Sequence, residues 1–214
     1  MSAFALACTL TLVALLALLA AERRGSRTGV WIAKPLASAG FLWAALAAGA
    51  LESGYGRAVL VALVLSFLGD VLLIPVARRS FLVGLVSFLL GHVAYAFAFA
   101  ARGISPVWIA GALPGVALAV VLALRWLGPH VEPAMRAPVR AYVAVISAMV
   151  LAAAGSVGAA GQPAILVGAL AFYVSDLAVA RQRFVARTFW NKSWGLPLYY
   201  GAQLILASTV GDVG

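Results

Sequence analysis

Cysteine is almost missing from this chain: Cys8 stands alone. A single thiol excludes an intrachain disulfide and a zinc site built from cysteines. Charge is scarce as well. Only 10% of the 214 residues are charged, whereas a soluble domain carries about 25%. A water-facing surface of ordinary composition is therefore excluded. Histidine occurs only at His92 and His130, too few for a conventional zinc site. No GxSxG, HExxH, P-loop or GxGxxG pattern is present, so the best-marked serine hydrolase, zinc protease and nucleotide-binding readings fail. No low-complexity linker divides the chain, which reads as a single integral membrane domain over residues 1–214.

What the chain has is apolar length. Hydrophobic residues make up 65% of it, and the mean hydropathy is +1.08. Eight apolar runs can be marked: 2–21, 32–51, 57–76, 81–101, 105–127, 138–157, 162–180 and 194–213. Each approximates the roughly 20 residues that span a bilayer core. The expected fold class is all-α, a polytopic membrane protein with a bundle of eight transmembrane helices. The first run lacks a basic segment before it and is read as a spanning helix, not a signal peptide.

The net charge of +9 suggests nucleic acid in a soluble protein. Here the cations sit in short loops, so they read as a topology signal and no nucleic-acid partner is expected. Loop one and its flank hold Arg23, Arg24, Arg27 and Lys34, and loop three holds Arg78 and Arg79. Loop five and its flanks hold Arg125, Arg136 and Arg140, and loop seven Arg181, Arg183, Arg187 and Lys192. The even loops keep only Arg57 and Arg102. The positive-inside rule then makes the odd loops cytoplasmic and puts both termini on the non-cytoplasmic side. The expected location is a bacterial inner (cytoplasmic) membrane.

Two runs break the apolar pattern. "LSFLGDVLLI" holds Asp70 and "FYVSDLAVA" holds Asp176. An aspartate in mid-span costs about 2.5–3.5 kcal/mol on insertion scales, and such residues usually face a bundle interior and mark function. The expected topology puts Asp70 about 10 Å and Asp176 about 7–8 Å from the cytoplasmic end at 1.5 Å per residue. Lys34, Tyr199, Tyr200 and Gln203 fall in the same half of the membrane, and His92 shares a helix face with Tyr95 near mid-span. Ser66 lies one turn before Asp70, and Ser175 adjoins Asp176. Plainer roles exist for each. Lys34 can snorkel, the tyrosines can belong to an interfacial belt, His92 can be a packing histidine, and serines permit close helix contact. Pro35 is expected in a first helical turn.

Paired carboxylates in a low-dielectric site need not titrate together, so one can act as general acid and the other as base. The same residues also suit a proton-coupled small-molecule or lipid transporter, or a noncatalytic lipid-binding or assembly factor. An intramembrane aspartyl protease fits poorly, because Phe67, Leu68 and Gly69 precede Asp70 and Ser175 precedes Asp176, where a "YD" and "GxGD" pair is needed.

Five short motifs occur in order: "KPL" at 34–36, "SFLGD" at 66–70, "HVAY" at 92–95, "GALAFYVSD" at 168–176 and "LPLYYGAQ" at 196–203. Together they resemble the lysoplasmalogenase family, the YhhN-like membrane proteins, over most of the chain. The resemblance implies a hydrolase that cleaves the vinyl ether bond of a lysoplasmalogen, a 1-alkenyl lysophospholipid. Its products are a fatty aldehyde and glycerophosphoethanolamine or glycerophosphocholine. No cofactor and no metal are implied, and the partners are the lysophospholipid substrate and membrane lipids. Asp70 and Asp176 are the family's matching aspartates and the expected catalytic pair. Lys34, Ser66, His92, Tyr95, Ser175, Tyr199, Tyr200 and Gln203 are the expected substrate-binding residues. Nothing in the sequence sets an oligomeric state.

Overall fold

A computed structural model describes residues 2–211. Among them are eight α-helices and no strand: α1 Ala3–Arg23, α2 Arg27–Ala47, α3 Gly54–Leu72, α4 Arg78–Ala101, α5 Pro106–Leu127, α6 Pro133–Ala160, α7 Pro163–Ala180 and α8 Phe189–Ser208. The starts follow from local chemistry. Ser2, Ser26 and Ser53 accept hydrogen bonds from the amides of Ala5, Gly29 and Gly56 and so cap the first three helices. α5, α6 and α7 each begin on proline, where the missing amide costs nothing. α6 ends at Gly161 in the left-handed conformation, φ 74°, which glycine adopts without strain.

Helices α1 to α7 are long and apolar enough to cross a membrane. α8 has 20 residues, sufficient in length, but Asn191, Lys192, Tyr199, Tyr200 and Gln203 lower its apolarity. All of these except Lys192 are buried, so its polarity belongs to the protein interior and not to a lipid-facing surface. Outward faces elsewhere are apolar: Leu16, Phe97 and Val107 are each more than half exposed, as expected where lipid is the solvent.

α1 and α2, α3 and α4, and α7 and α8 pack as hairpins. α4 continues to α6, α6 to α7, and α8 closes the arrangement against α1, α2 and α3. α5 packs mainly on α6 and buries only Ala123 and Leu127. The central core contains Phe41, Leu63, Phe88, Phe99, Met149, Phe172 and Leu206.

Several boundaries differ from the sequence expectation. α2 begins at Arg27, not near Ile32, because Ser26 caps it. Lys34 is therefore about two turns inside, and Pro35 is interior instead of first-turn. α6 begins at Pro133, ahead of Pro138. α8 begins at Phe189, so Tyr199 and Tyr200 lie nearly three turns inside. α3 ends at Leu72, which leaves Asp70 in its last turn. Gly111 and Gly115, four residues apart on α5 in the spacing of a helix-contact pair, have no neighbour that an added Cβ would meet. The expected end of the last run, Val213, lies outside the described residues, as do both chain ends.

Candidate active site

Asp70 is the centre of one cluster and is 2% exposed. Lys34 Nζ from α2 lies 3.2 Å from its Oδ1 and donates to its main-chain carbonyl at 3.0 Å. Ser38 Oγ and Tyr199 OH both donate to Oδ2 at 2.7 Å. Tyr200 OH completes the group, 3.2 Å from Ser38 Oγ and 3.4 Å from the Lys34 carbonyl. Lys34 and Ser38 are one turn apart on a single helix face, which is why both reach the same carboxylate. Gly69 matters here. A Cβ at this position would fall 2.6 Å from the Phe88 ring, and that ring packs edge-on against Tyr199 with centroids 5.9 Å apart.

Asp176 has different neighbours. Tyr142 OH of α6 donates to Oδ2 at 2.7 Å. His92 Nε2 of α4 lies 3.6 Å from the same oxygen, within ion-pair range and beyond a normal hydrogen bond. The other imidazole nitrogen, Nδ1, is 2.7 Å from the Phe88 carbonyl oxygen. Phe172 covers the imidazole at 4.4 Å between centroids, and Tyr142 meets it edge-on at 5.3 Å. Phe172 also packs on Tyr199 at 5.5 Å, so aromatic rings connect the two carboxylate clusters.

Both aspartates line one cavity of ≈ 460 Å³, within the range of small-molecule sites. Leu73, Leu85, Phe88, Val139, Val143 and Ile146 supply apolar wall. Glu22, Arg27, Arg183, Arg187 and Lys192 line its basic side, and all come from loops one and seven or their flanks. The α7–α8 connection there is fixed by buried Asn191. Its Nδ2 donates to Gln182 Oε1 and to the Ala186 carbonyl, both at 2.6 Å, and its Oδ1 accepts from Arg181. A π-helical turn, Arg181–Val185, carries Arg183, whose guanidinium stacks over Phe81 at 4.3 Å. Lys192 pairs with Glu22. Arg27 and Arg187 have no carboxylate partner among the described residues. Leu73 to Val76, the apolar connection after α3, also lines the cavity.

The sequence candidates thus divide. Lys34, Asp70, Ser175, Asp176 and Tyr199 line the cavity. His92 and Tyr200 stand behind it, touching Asp176 and Ser38. Tyr95 donates to Gln203 Oε1 at 2.6 Å in the fully buried core, away from the cavity lining. Ser66 donates to the Ala62 carbonyl, not to Asp70. Ser175 donates to the Phe172 carbonyl. Ser38 and Tyr142, which with the expected Tyr199 contact the two carboxylates from other helices, were missed by sequence reasoning. Ser38 alone had a signal, its place one turn after Lys34. No cluster of three or more potential metal-ligating His, Cys, Asp or Glu side chains occurs among the described residues.

Similarity to known proteins points the same way as the motifs. The chain is 34% identical over 175 residues to lysoplasmalogenase TMEM86B of Homo sapiens, covering 80% of this chain and 69% of that protein. It is 34% identical over 157 residues to lysoplasmalogenase TMEM86A of Bos taurus, covering 70% of this chain and 63% of that protein. Human lysoplasmalogenase TMEM86A is 32% identical over 155 residues, with the same coverage. No solved structure matches. Residues 29–210 match the YhhN family, to which the chain belongs.

Proposed function

We propose that this protein hydrolyses the vinyl ether bond of a lysoplasmalogen, releasing a fatty aldehyde and glycerophosphoethanolamine or glycerophosphocholine. The observation that carries the reading is the cavity that contains both Asp70 and Asp176, in a chain about one-third identical to proteins named lysoplasmalogenases. The protein crosses a bacterial inner membrane eight times as a single domain, with both termini outside and the basic side of the cavity facing the cytoplasm. The loop charges support that orientation.

In this reading the apolar wall takes the alkenyl chain, and Arg27, Arg187 and Lys34 attract the phosphate. Hydrolysis begins by protonation of the vinyl ether at its β-carbon. The resulting oxocarbenium ion adds water, and the hemiacetal collapses to aldehyde and glycerol hydroxyl. One neutral carboxylic acid supplies the proton, while one ionised carboxylate faces the developing cation. The test uses purified protein and 1-alkenyl lysophosphatidylethanolamine, with aldehyde and glycerophosphoethanolamine both quantified. Release of the two in equal amounts is expected. Lipid movement across proteoliposomes without aldehyde would replace this reading with transport.

A further inference from the structure

We propose that the two aspartates have fixed and different roles: Asp176, backed by His92, carries the transferable proton, while Asp70 stays ionised as the anchor of Lys34 and Tyr199. This rests on the hydrolase reading and deepens it. The argument is one of hydrogen-bond valence. Around Asp70 stand an ammonium and two hydroxyls. An ionised carboxylate accepts from all of them and leaves the ammonium compensated.

Asp176 has no Lys or Arg within ion-pair distance among the described residues. One oxygen accepts from Tyr142 and faces His92 Nε2 at 3.6 Å. A carbonyl oxygen only accepts, so the contact with Phe88 requires the proton on His92 Nδ1. Nε2 of a neutral ring is then a lone pair. It is buried without a hydrogen-bond partner and is directed at a carboxylate oxygen. Two lone pairs facing each other at 3.6 Å repel, one on a fully buried ring and the other on a partly buried carboxylate, and a proton on one side removes that repulsion. A neutral imidazole beside a carboxylic acid avoids the desolvation of the ring that an imidazolium–carboxylate pair at 3.6 Å, without a hydrogen bond, would leave poorly repaid. His92 does not line the cavity, so it acts through Asp176 as a positioning residue.

The step balances. The Asp176 proton forms the new C–H bond with the π electrons of the vinyl ether, leaving an oxocarbenium ion and the Asp176 carboxylate. Water adds to the cationic carbon and returns one proton to Asp176. In the hemiacetal the hydroxyl proton passes to the departing glycerol oxygen as the C–O bond breaks, with net consumption of one water.

The test is infrared spectroscopy of the purified protein in detergent, following the carbonyl stretch of a protonated carboxylic acid. The wild type is compared with Asp176→Asn, Asp70→Asn and His92→Asn, the last of which keeps a donor for Phe88 and loses the group facing Asp176. Because Asp70→Asn strands Lys34, the double variant Lys34→Met/Asp70→Asn provides a charge-neutral alternative should the single variant not fold. The acid band is expected in wild type and in the Asp70 variants, absent in Asp176→Asn, and shifted in His92→Asn. Absence from wild type, persistence in Asp176→Asn, loss in the Asp70 variants or no shift in His92→Asn would overturn the assignment. Aldehyde release by wild type is measured in parallel. If it is absent, the hydrolase reading falls whatever the spectrum shows; if it is present with the wrong band pattern, only the division of roles falls.

Discussion

Asp70 and Asp176 share a cavity but not a chemistry. Asp70 meets an ammonium and two hydroxyls from α2 and α8. Asp176 meets a phenol from α6 and an imidazole from α4. The difference is set by what each neighbouring helix can offer. α2 brings a cation across the bundle, and the carboxylate beside it pairs with that charge. α4 and α6 bring aromatic and weakly basic groups, which desolvate a carboxylate without neutralising it. On the proposed division of roles, environment alone makes one an anchor and the other a proton carrier, as in other two-carboxylate sites.

The contrast is broken most sharply by amide substitution. Asp176→Asn is expected to lower aldehyde release by about 10²–10⁴-fold, the usual contribution of a general acid or base, with little change in thermal stability because no cation is stranded. Asp70→Asn is expected to lose stability by about 3–5 kcal/mol, since one partner of a buried ion pair remains uncompensated. Thermal unfolding in detergent reads the difference. Equal stability of the two variants would contradict the comparison.

A smaller effect is expected at Gly69. Gly69→Ala places a Cβ against the Phe88 ring, and overpacking of this kind costs about 1–3 kcal/mol. The displaced ring disturbs Tyr199, so activity falls as well. Gly111→Ala, where nothing stands nearby, is the matched control and is expected to leave activity unchanged and stability unchanged or raised by about 0.4–1 kcal/mol.

The two phenols sharpen the comparison further. Tyr199→Phe removes a donor to an ionised group, worth about 1.5–3 kcal/mol, whereas Tyr142→Phe removes one to a neutral acid, worth about 0.5–1.5 kcal/mol. Denaturant titration of the pair is expected to place Tyr199→Phe lower. The smallest effect belongs to the basic side of the cavity. Arg27→Ala and Arg187→Ala are expected to raise KM by a few-fold (~2–5) with kcat unchanged, an effect that salt reduces.

The helices were largely legible because apolar length is a strong signal, and α1 to α7 meet it. The starts of α2 and α8 were not. Arg27, Thr28, Asn191 and Lys192 look like loop by composition, yet Ser26 caps α2 and Asn191 is buried against the preceding connection. The charged centre of the site was legible through the cost of aspartate in an apolar run. Of its hydroxyl partners Tyr199 was legible and two were not, because Ser38 and Tyr142 are ordinary residues for a membrane helix and acquire meaning only from the neighbour across the bundle. Depth did not place Gln203 and Tyr95 on the cavity wall. They hydrogen-bond each other in the core, and position along a helix does not say which way a side chain faces.

The most direct test of two-aspartate vinyl ether hydrolysis is deuterium incorporation. Purified wild type and Asp176→Asn are given a 1-alkenyl lysophospholipid in heavy water, and any aldehyde is reduced at once to trap its label. Wild type is expected to yield product with one deuterium on the carbon next to the former carbonyl, and Asp176→Asn almost none. Aldehyde without that deuterium, or undiminished aldehyde from folded Asp176→Asn, would contradict protonation of the vinyl ether carbon by this site.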